Sequence, residues 1–115
     1  MSRQIGSEAE IKARAFLETQ GLVWQASNYS WQGGEIDLIM CDQETYVFVE
    51  VKSRRSHQFG GALASITLAK QQKIIKTATH FLVYKKLWEK CPVRFDVVCI
   101  EGKMAQIQWL KHAFQ

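Results

Sequence analysis

"GGEIDLIM" (residues 33–40) and "YVFVEVKSR" (residues 46–54) are the two stretches on which the fold of this chain turns. Each is a short run of Ile, Leu, Val, Phe and Met, and each carries charge in its middle: Asp37 in the first, Glu50 in the second, with Lys52 two places on. A buried charge is costly unless it is paired or bound to a metal, so the pattern calls for an explanation. "CDQE" (residues 41–44) joins the two as a tight connection, which predicts an antiparallel hairpin. In "TYVFVEVKSR" (residues 45–54), period-two alternation points Val47, Val49 and Val51 one way and Phe48, Glu50 and Lys52 the other. Glu50 and Lys52 therefore share a face, and Asp37 on the neighbouring strand can share it too.

Working outward, "SEAEIKARAFLETQG" (residues 7–21) reads as a helix. Ser7 stands at a cap position with Glu10 at capping-box spacing, and Gly21 closes the end. At about 100° per residue, Ala9, Ala13, Phe16 and Leu17 gather on one side, with Glu10 beside them and Glu8 turned away. "LVWQAS" (residues 22–27) predicts a first strand and "NYSWQGG" (residues 28–34) a turn region, with "EIDLIM" as the second strand. "SHQFGGALAS" (residues 56–65) is a glycine-containing loop, the segment best suited to lie over a site. A long helix over 67–86 follows, striped by Ile74, Ala78, Phe81 and Leu82, with Lys70 at the start of the stripe. Strands over 93–101 and 105–114 complete the order α-β-β-β-α-β-β. That order specifies an α/β fold with a mixed central sheet flanked by helices.

The chain has 115 residues, 47% hydrophobic and 23% charged, a size and balance suited to one globular domain over residues 1–115. No apolar run approaches the ~18–20 residues of a membrane helix, and "MSRQIGSEAE" has no apolar leader core, so a cytoplasmic location without membrane contact is expected. Cys41, Cys91 and Cys99 are widely spaced and form no CxxC pair, which argues against structural zinc or a disulfide framework; Cys99 in "DVVCI" reads as a small core residue. Fifteen Lys plus Arg against eleven Asp plus Glu give a net charge of +4. This modest basic excess suits a polyanionic partner and is concentrated in "KSRRSH" (residues 52–57) and in Lys70, Lys73, Lys76, Lys85 and Lys86.

Glu50 and Lys52 alone are better explained as an ion pair on a strand face. Adding Asp37, flanked by Ile36 and Leu38, changes the balance, because a structural pair has no use for a second buried carboxylate. Two carboxylates side by side repel, and a divalent cation relieves that repulsion; an all-oxygen donor set favours Mg²⁺ or Mn²⁺ over zinc. A lysine on the same face can hold a water or neutralise charge developing on phosphorus, which is the chemistry of phosphodiester hydrolysis. Asp96 in "RFDVV" (residues 94–98) shares its face with Arg94 and reads as a structural pair. Trp31 lies in the predicted turn, where stacking on an unpaired base is conceivable but packing is the more usual role.

The D…ExK pattern on a hairpin, preceded by a helix Glu, is similar to the PD-(D/E)xK signature of restriction-endonuclease-like folds. The wider string "GSEAEIKARAFLETQGL", "NYSWQGGEIDLIM", "YVFVEVKSR", "FGGALASI" and "RFDVV" resembles the YraN family over nearly the whole chain. These are small bacterial proteins with a restriction-endonuclease-like fold, similar to archaeal Holliday-junction resolvases. The resemblance implies Asp37, Glu50, Lys52 and Glu10 as catalytic residues. It implies Asp37, Glu50, Glu10 and the Val51 carbonyl as ligands of Mg²⁺ or Mn²⁺. Apart from the resemblance, Arg54 and Arg55 just beyond Lys52, with Lys70 and Lys73 on the second helix, are the expected phosphate contacts, and for Lys70 a solvent-directed side chain is an equal alternative. The family often has "NYR" where this chain has "NYS" (residues 28–30), so one basic residue near the site is missing.

The activity so implied is metal-dependent hydrolysis of DNA, with branched or junction DNA as a candidate substrate. A homodimer follows as an expectation, since a two-fold symmetric junction needs two sites. Two other readings stay open at this point. One is a nucleic-acid-binding accessory protein that keeps the nuclease fold without turnover, and the other is an interaction module whose acidic pocket is structural.

Overall fold

A computed structural model describes residues 8–54 and 66–115. The predicted cap Ser7, Arg55, His57 and the whole of the loop "SHQFGGALAS" lie outside the described residues. Among the described residues the chain forms α1 (Glu8–Thr19), β1 (Val23–Trp31), β2 (Gly34–Asp42), β3 (Thr45–Arg54), α2 (Leu68–Tyr84), β4 (Val93–Glu101) and β5 (Gln106–Phe114). The five strands make one sheet in the order β1-β2-β3-β4-β5. All neighbours are antiparallel except β3 and β4, which run parallel and are joined by a crossover that includes α2. This is the α/β arrangement, order α-β-β-β-α-β-β, that the sequence and its endonuclease-like resemblance specify. No helix among the described residues is long and apolar enough to cross a membrane.

The two helices cover opposite faces of the sheet, as the strand alternation requires. Ala13 and Leu17 of α1 are buried against Leu38, Met40, Val47, Val49 and Val98. Ile74, Ala78, Phe81 and Leu82 of α2 are buried against Ile36, Ile39, Phe48 and Val97. Adjacent residues of β3 thus feed different cores, and full burial of each such side chain contributes about 1.5–3 kcal/mol. Thr67 caps α2, its Oγ1 accepting the Lys70 N–H at 3.1 Å. Buried among these groups, Asp96 accepts hydrogen bonds from Arg94 Nε at 3.0 Å, Trp109 Nε1 at 2.9 Å and the His112 backbone N–H at 3.0 Å. Arg94 also reaches Asp42 Oδ2 at 2.9 Å. This network ties β4 to β5 and to the end of β2, and Asp96 is structural as the Arg94 pairing predicts.

One element departs from the sequence reading. β1 continues through "NYSW", and only Gln32 and Gly33 turn. The reason is tertiary. Tyr29 packs edge-on against Phe81 at 5.2 Å, and its hydroxyl lies 2.6 Å from His80 Nδ1. Trp31 donates from Nε1 to Thr77 Oγ1 at 2.9 Å and stacks on the His80 ring at 4.7 Å. Trp31 is therefore a packing residue that fastens β1 to α2. Its expected place in the turn region, from which base stacking was conceivable, does not hold: Trp31 ends β1.

The extension of β1 carries an irregularity that matters for the site. Asn28 has φ 52°, and it lies between the pairs Ser27↔Leu38 and Tyr29↔Ile36. Across that point the alternation breaks: Leu38 belongs to the core under α1, and Ile36 to the core under α2. Asp37 occupies the break.

Candidate active site

Asp37 on β2 and Glu50 on β3 open into one cleft of about 440 Å³ between the sheet and the first turns of α2, which add Thr67, Lys70 and Lys73. Each position has a local cause. Glu50 follows Phe48 on the α2 face of β3, as the period-two reading predicts, and is 7% exposed. Asp37 is held by the backbone of the neighbouring strand, its Oδ2 accepting the Val51 N–H at 2.8 Å. Lys70, in the first turn of α2, places Nζ 2.9 Å from Glu50 Oε2, and Lys52 Nζ is 3.8 Å from the same oxygen. Gly34 makes the close seating of α2 possible: a Cβ there would lie 2.7 Å from Thr77 Oγ1 and 3.4 Å from the Lys73 carbonyl oxygen.

The electrostatics follow from this crowding. Burial, and then the negative charge of Glu50, raise the Asp37 pKa to about 7, against the partial relief given by the Val51 N–H. Glu10 adds a smaller push in the same direction. Lys52 is shifted down, first by burial and then by the positive charge of Lys70. Lys70 is shifted up, chiefly by its hydrogen bond to Glu50. The cleft thus gathers the carboxylates of Glu35, Asp37 and Glu50 with the ammonium groups of Lys70 and Lys73, and Lys52 stands beside Glu50 at its margin.

The expected site residues fall into three groups. Asp37, Glu50 and Lys52 come together, joined by the Val51 peptide through its N–H, and Lys70 and Lys73 reach the same cleft. Glu10 does not line the cleft; its Oε1 accepts from Asn28 Nδ2 at 3.0 Å, beside the strand irregularity that sets Asp37. Arg54 stands opposite Glu101 at the far end of β3 and does not line the cleft either. Arg55 lies outside the described residues. Thr67, Gly34 and Glu35, which line the cleft, are absent from the sequence reading. Thr67 was legible as a Thr opening a helical pattern; the contact that requires Gly34 comes from a helix some forty residues away in sequence.

Among the described residues no three His, Cys, Asp or Glu side chains converge as a metal-holding group. The donor set still fits a hard divalent cation, because Mg²⁺ is commonly held by one or two carboxylates while keeping several waters. Two mutually repelling carboxylates, one of them reluctant to ionise, are the pair such a cation would stabilise.

Fold and cleft together define an α/β protein of endonuclease-like architecture with a carboxylate–lysine site at the edge of α2. The uncharacterised protein family UPF0102 matches residues 9–100, and the chain belongs to it. This is the YraN family of the sequence resemblance. A UPF0102 protein of Legionella pneumophila is 47% identical over 114 residues, covering 99% of this chain and 97% of its own. Relatives in Saccharophagus degradans, 50% identical over 111 residues, and Nitrosomonas europaea, 49% over 110 residues, cover 96% and 95% of this chain and 92% each of their own. The names of these relatives carry the family and no reaction.

Proposed function

We propose that this chain is a metal-dependent nuclease that hydrolyses DNA phosphodiester bonds, with branched or junction DNA as the substrate to test first. The observation that carries the reading is the opening of Asp37 and Glu50 into one cleft with Lys52 and Lys70 at hand. Asp37 and Glu50 would hold Mg²⁺ or Mn²⁺, and the Val51 carbonyl would be a further oxygen donor. The cation supplies a Lewis acid that polarises a phosphoryl oxygen and makes water more acidic. The protein does the rest. Lys52 orients the attacking water and neutralises charge that develops on the phosphate. Asp37 is fixed by the Val51 N–H, and Glu10 braces Asn28 at the strand irregularity from which Asp37 projects. Lys73, Arg54 and Arg55 are the phosphate contacts, which position the backbone without reading bases. A cytoplasmic setting and a homodimer with two sites accord with a two-fold symmetric DNA substrate.

The test is cleavage of labelled linear, flapped and four-way-junction DNA with Mg²⁺ or Mn²⁺, wild type beside Asp37→Asn. The expected result is metal-dependent product that falls at least about a hundredfold in the variant, the scale of removing one electrostatic stabiliser from an active site. Equal cleavage by both proteins overturns the assignment. A second reading, an accessory DNA-binding protein without turnover, draws on the Lys70–Glu50 pair, which already neutralises one of the two carboxylates. Salt-sensitive binding with no product under either metal selects it.

A further inference from the structure

Lys70 has a place in the cleft that phosphate contact does not explain. Its Nζ lies 2.9 Å from Glu50 Oε2, closer than Lys52 at 3.8 Å, although Lys52 is the residue joined to Glu50 by the motif. The two partners are unequal. Glu50 is 7% exposed and rooted in the middle of the sheet, whereas the Lys70 side chain is 43% exposed and stands on the first turn of a helix. A lysine stem of four methylenes on a helix end can swing to solvent with little loss. A nearly buried carboxylate on a central strand has no such freedom. Glu50 therefore keeps its position, and what neutralises it is exchangeable.

Resting on the nuclease reading above, we infer that Lys70 is the resident counter-ion of Glu50 and is displaced from it by the divalent cation, which frees the ammonium group for the phosphate of the substrate. Lys70 is a positioning residue on this account. It keeps Glu50 in place when no cation is bound, and it competes with the cation for the same oxygen. Lys52 is distinguished from it by its origin: it issues from β3 itself, two residues beyond Glu50, and its side chain is 24% exposed with Nζ 3.8 Å from Glu50 Oε2. The cleft, about 440 Å³, is lined by Thr67 and Lys73 as well as Lys70. With Lys70 and Lys73 then on one wall, the cation-loaded cleft presents two ammonium groups to a phosphate chain where the cation-free cleft presents one.

The competition has a sign that a purely structural role would not produce. Removing a structural ion pair loosens the site and weakens cation binding; removing a competitor tightens it. The experiment is a titration of the full chain with Mn²⁺ alone, read by calorimetry and by melting temperature, comparing wild type, Lys70→Met and Lys76→Met. Methionine keeps the apolar stem of the lysine and removes the charge. Lys76 is exposed further along α2 and controls for the loss of one net positive charge.

The expected result is Mn²⁺ binding about tenfold tighter in Lys70→Met, from removal of one competing charge beside the carboxylate, with Lys76→Met within twofold of wild type. The metal-free Lys70→Met protein should also melt lower than wild type and gain more from Mn²⁺. Equal or weaker Mn²⁺ binding by Lys70→Met overturns the inference and leaves the nuclease reading standing. Absence of Mn²⁺ binding by wild type and both variants overturns the inference together with that reading.

Discussion

Asp37 keeps its proton to about pH 7 because burial and the Glu50 charge both oppose its ionisation. The consequence for stability has a definite sign. In the unfolded chain this carboxyl loses its proton near its ordinary pKa of 3.8, and in the folded protein near 7. Between those values the native state binds more protons than the unfolded state, so stability falls as pH rises through the window of about 4 to 7 and the loss is complete above it. For the metal-free protein in chelator, Asp37→Asn should remove this fall, since an amide can still accept the Val51 N–H without a charge to desolvate. The variant should then be more stable than wild type at pH 8 by on the order of 1–2 kcal/mol, a figure reduced from the raw shift for the water that the open cleft admits. Urea unfolding at pH 4, 6 and 8 measures it. Parallel stability profiles for the two proteins would mean that Asp37 is ionised at no cost and that the cleft needs no cation to balance it.

At the scale of elements, the site depends on how near α2 comes to the start of β2. Gly34 is where the two meet, and a methyl group there would sit 2.7 Å from Thr77 Oγ1, whose hydroxyl receives the Trp31 N–H and bonds the Lys73 carbonyl. Gly34→Ala should therefore cost about 1–3 kcal/mol by overpacking, and should weaken cation binding as well, because Lys70 and Lys73 move with the helix. A melting curve and a Mn²⁺ titration of the variant check both; a folded variant with unchanged cation affinity would show that the helix position is not what sets the cleft. The same contact marks the boundary of what the sequence discloses. Strands β2, β3, β4 and β5, the apolar stripes of both helices and the shared face of Glu50 and Lys52 all follow from periodicity, which is a local property. The strand character of "NYSW" does not, because Tyr29 and Trp31 are held extended by Phe81, Thr77 and His80 of a distant helix. The break in alternation at Asp37 is hidden for a related reason: it rests on Asn28 of another strand, whose φ of 52° no pattern in "GGEIDLIM" announces. Nor does the motif reveal that Lys70 is nearer to Glu50 than Lys52 is.

Across the whole molecule, a net charge of +4 is too small to make DNA binding indifferent to where the cations lie. Lys52, Lys70 and Lys73 stand at or in the cleft, while Lys111 lies on β5, an outer strand of the sheet, 4.5 Å over the Trp109 ring. If the cleft is where the phosphate chain runs, binding should depend on lysines according to position and not merely to number. For a duplex or junction bound in chelator, where no cleavage intervenes, Lys73→Ala should weaken binding and reduce the slope of log affinity against log salt by about 0.9, the value for one phosphate left unneutralised on B-form DNA. Lys111→Ala removes the same charge from the chain and should leave that slope unchanged. Titrations of both variants and of wild type over a range of salt concentrations make the comparison. An equal reduction of slope in both variants would mean that the protein holds DNA through its diffuse positive charge, and that the lysines of α2 have no special claim on the backbone. A reduction confined to Lys73→Ala would put the phosphate chain beside Asp37 and Glu50, where hydrolysis requires it.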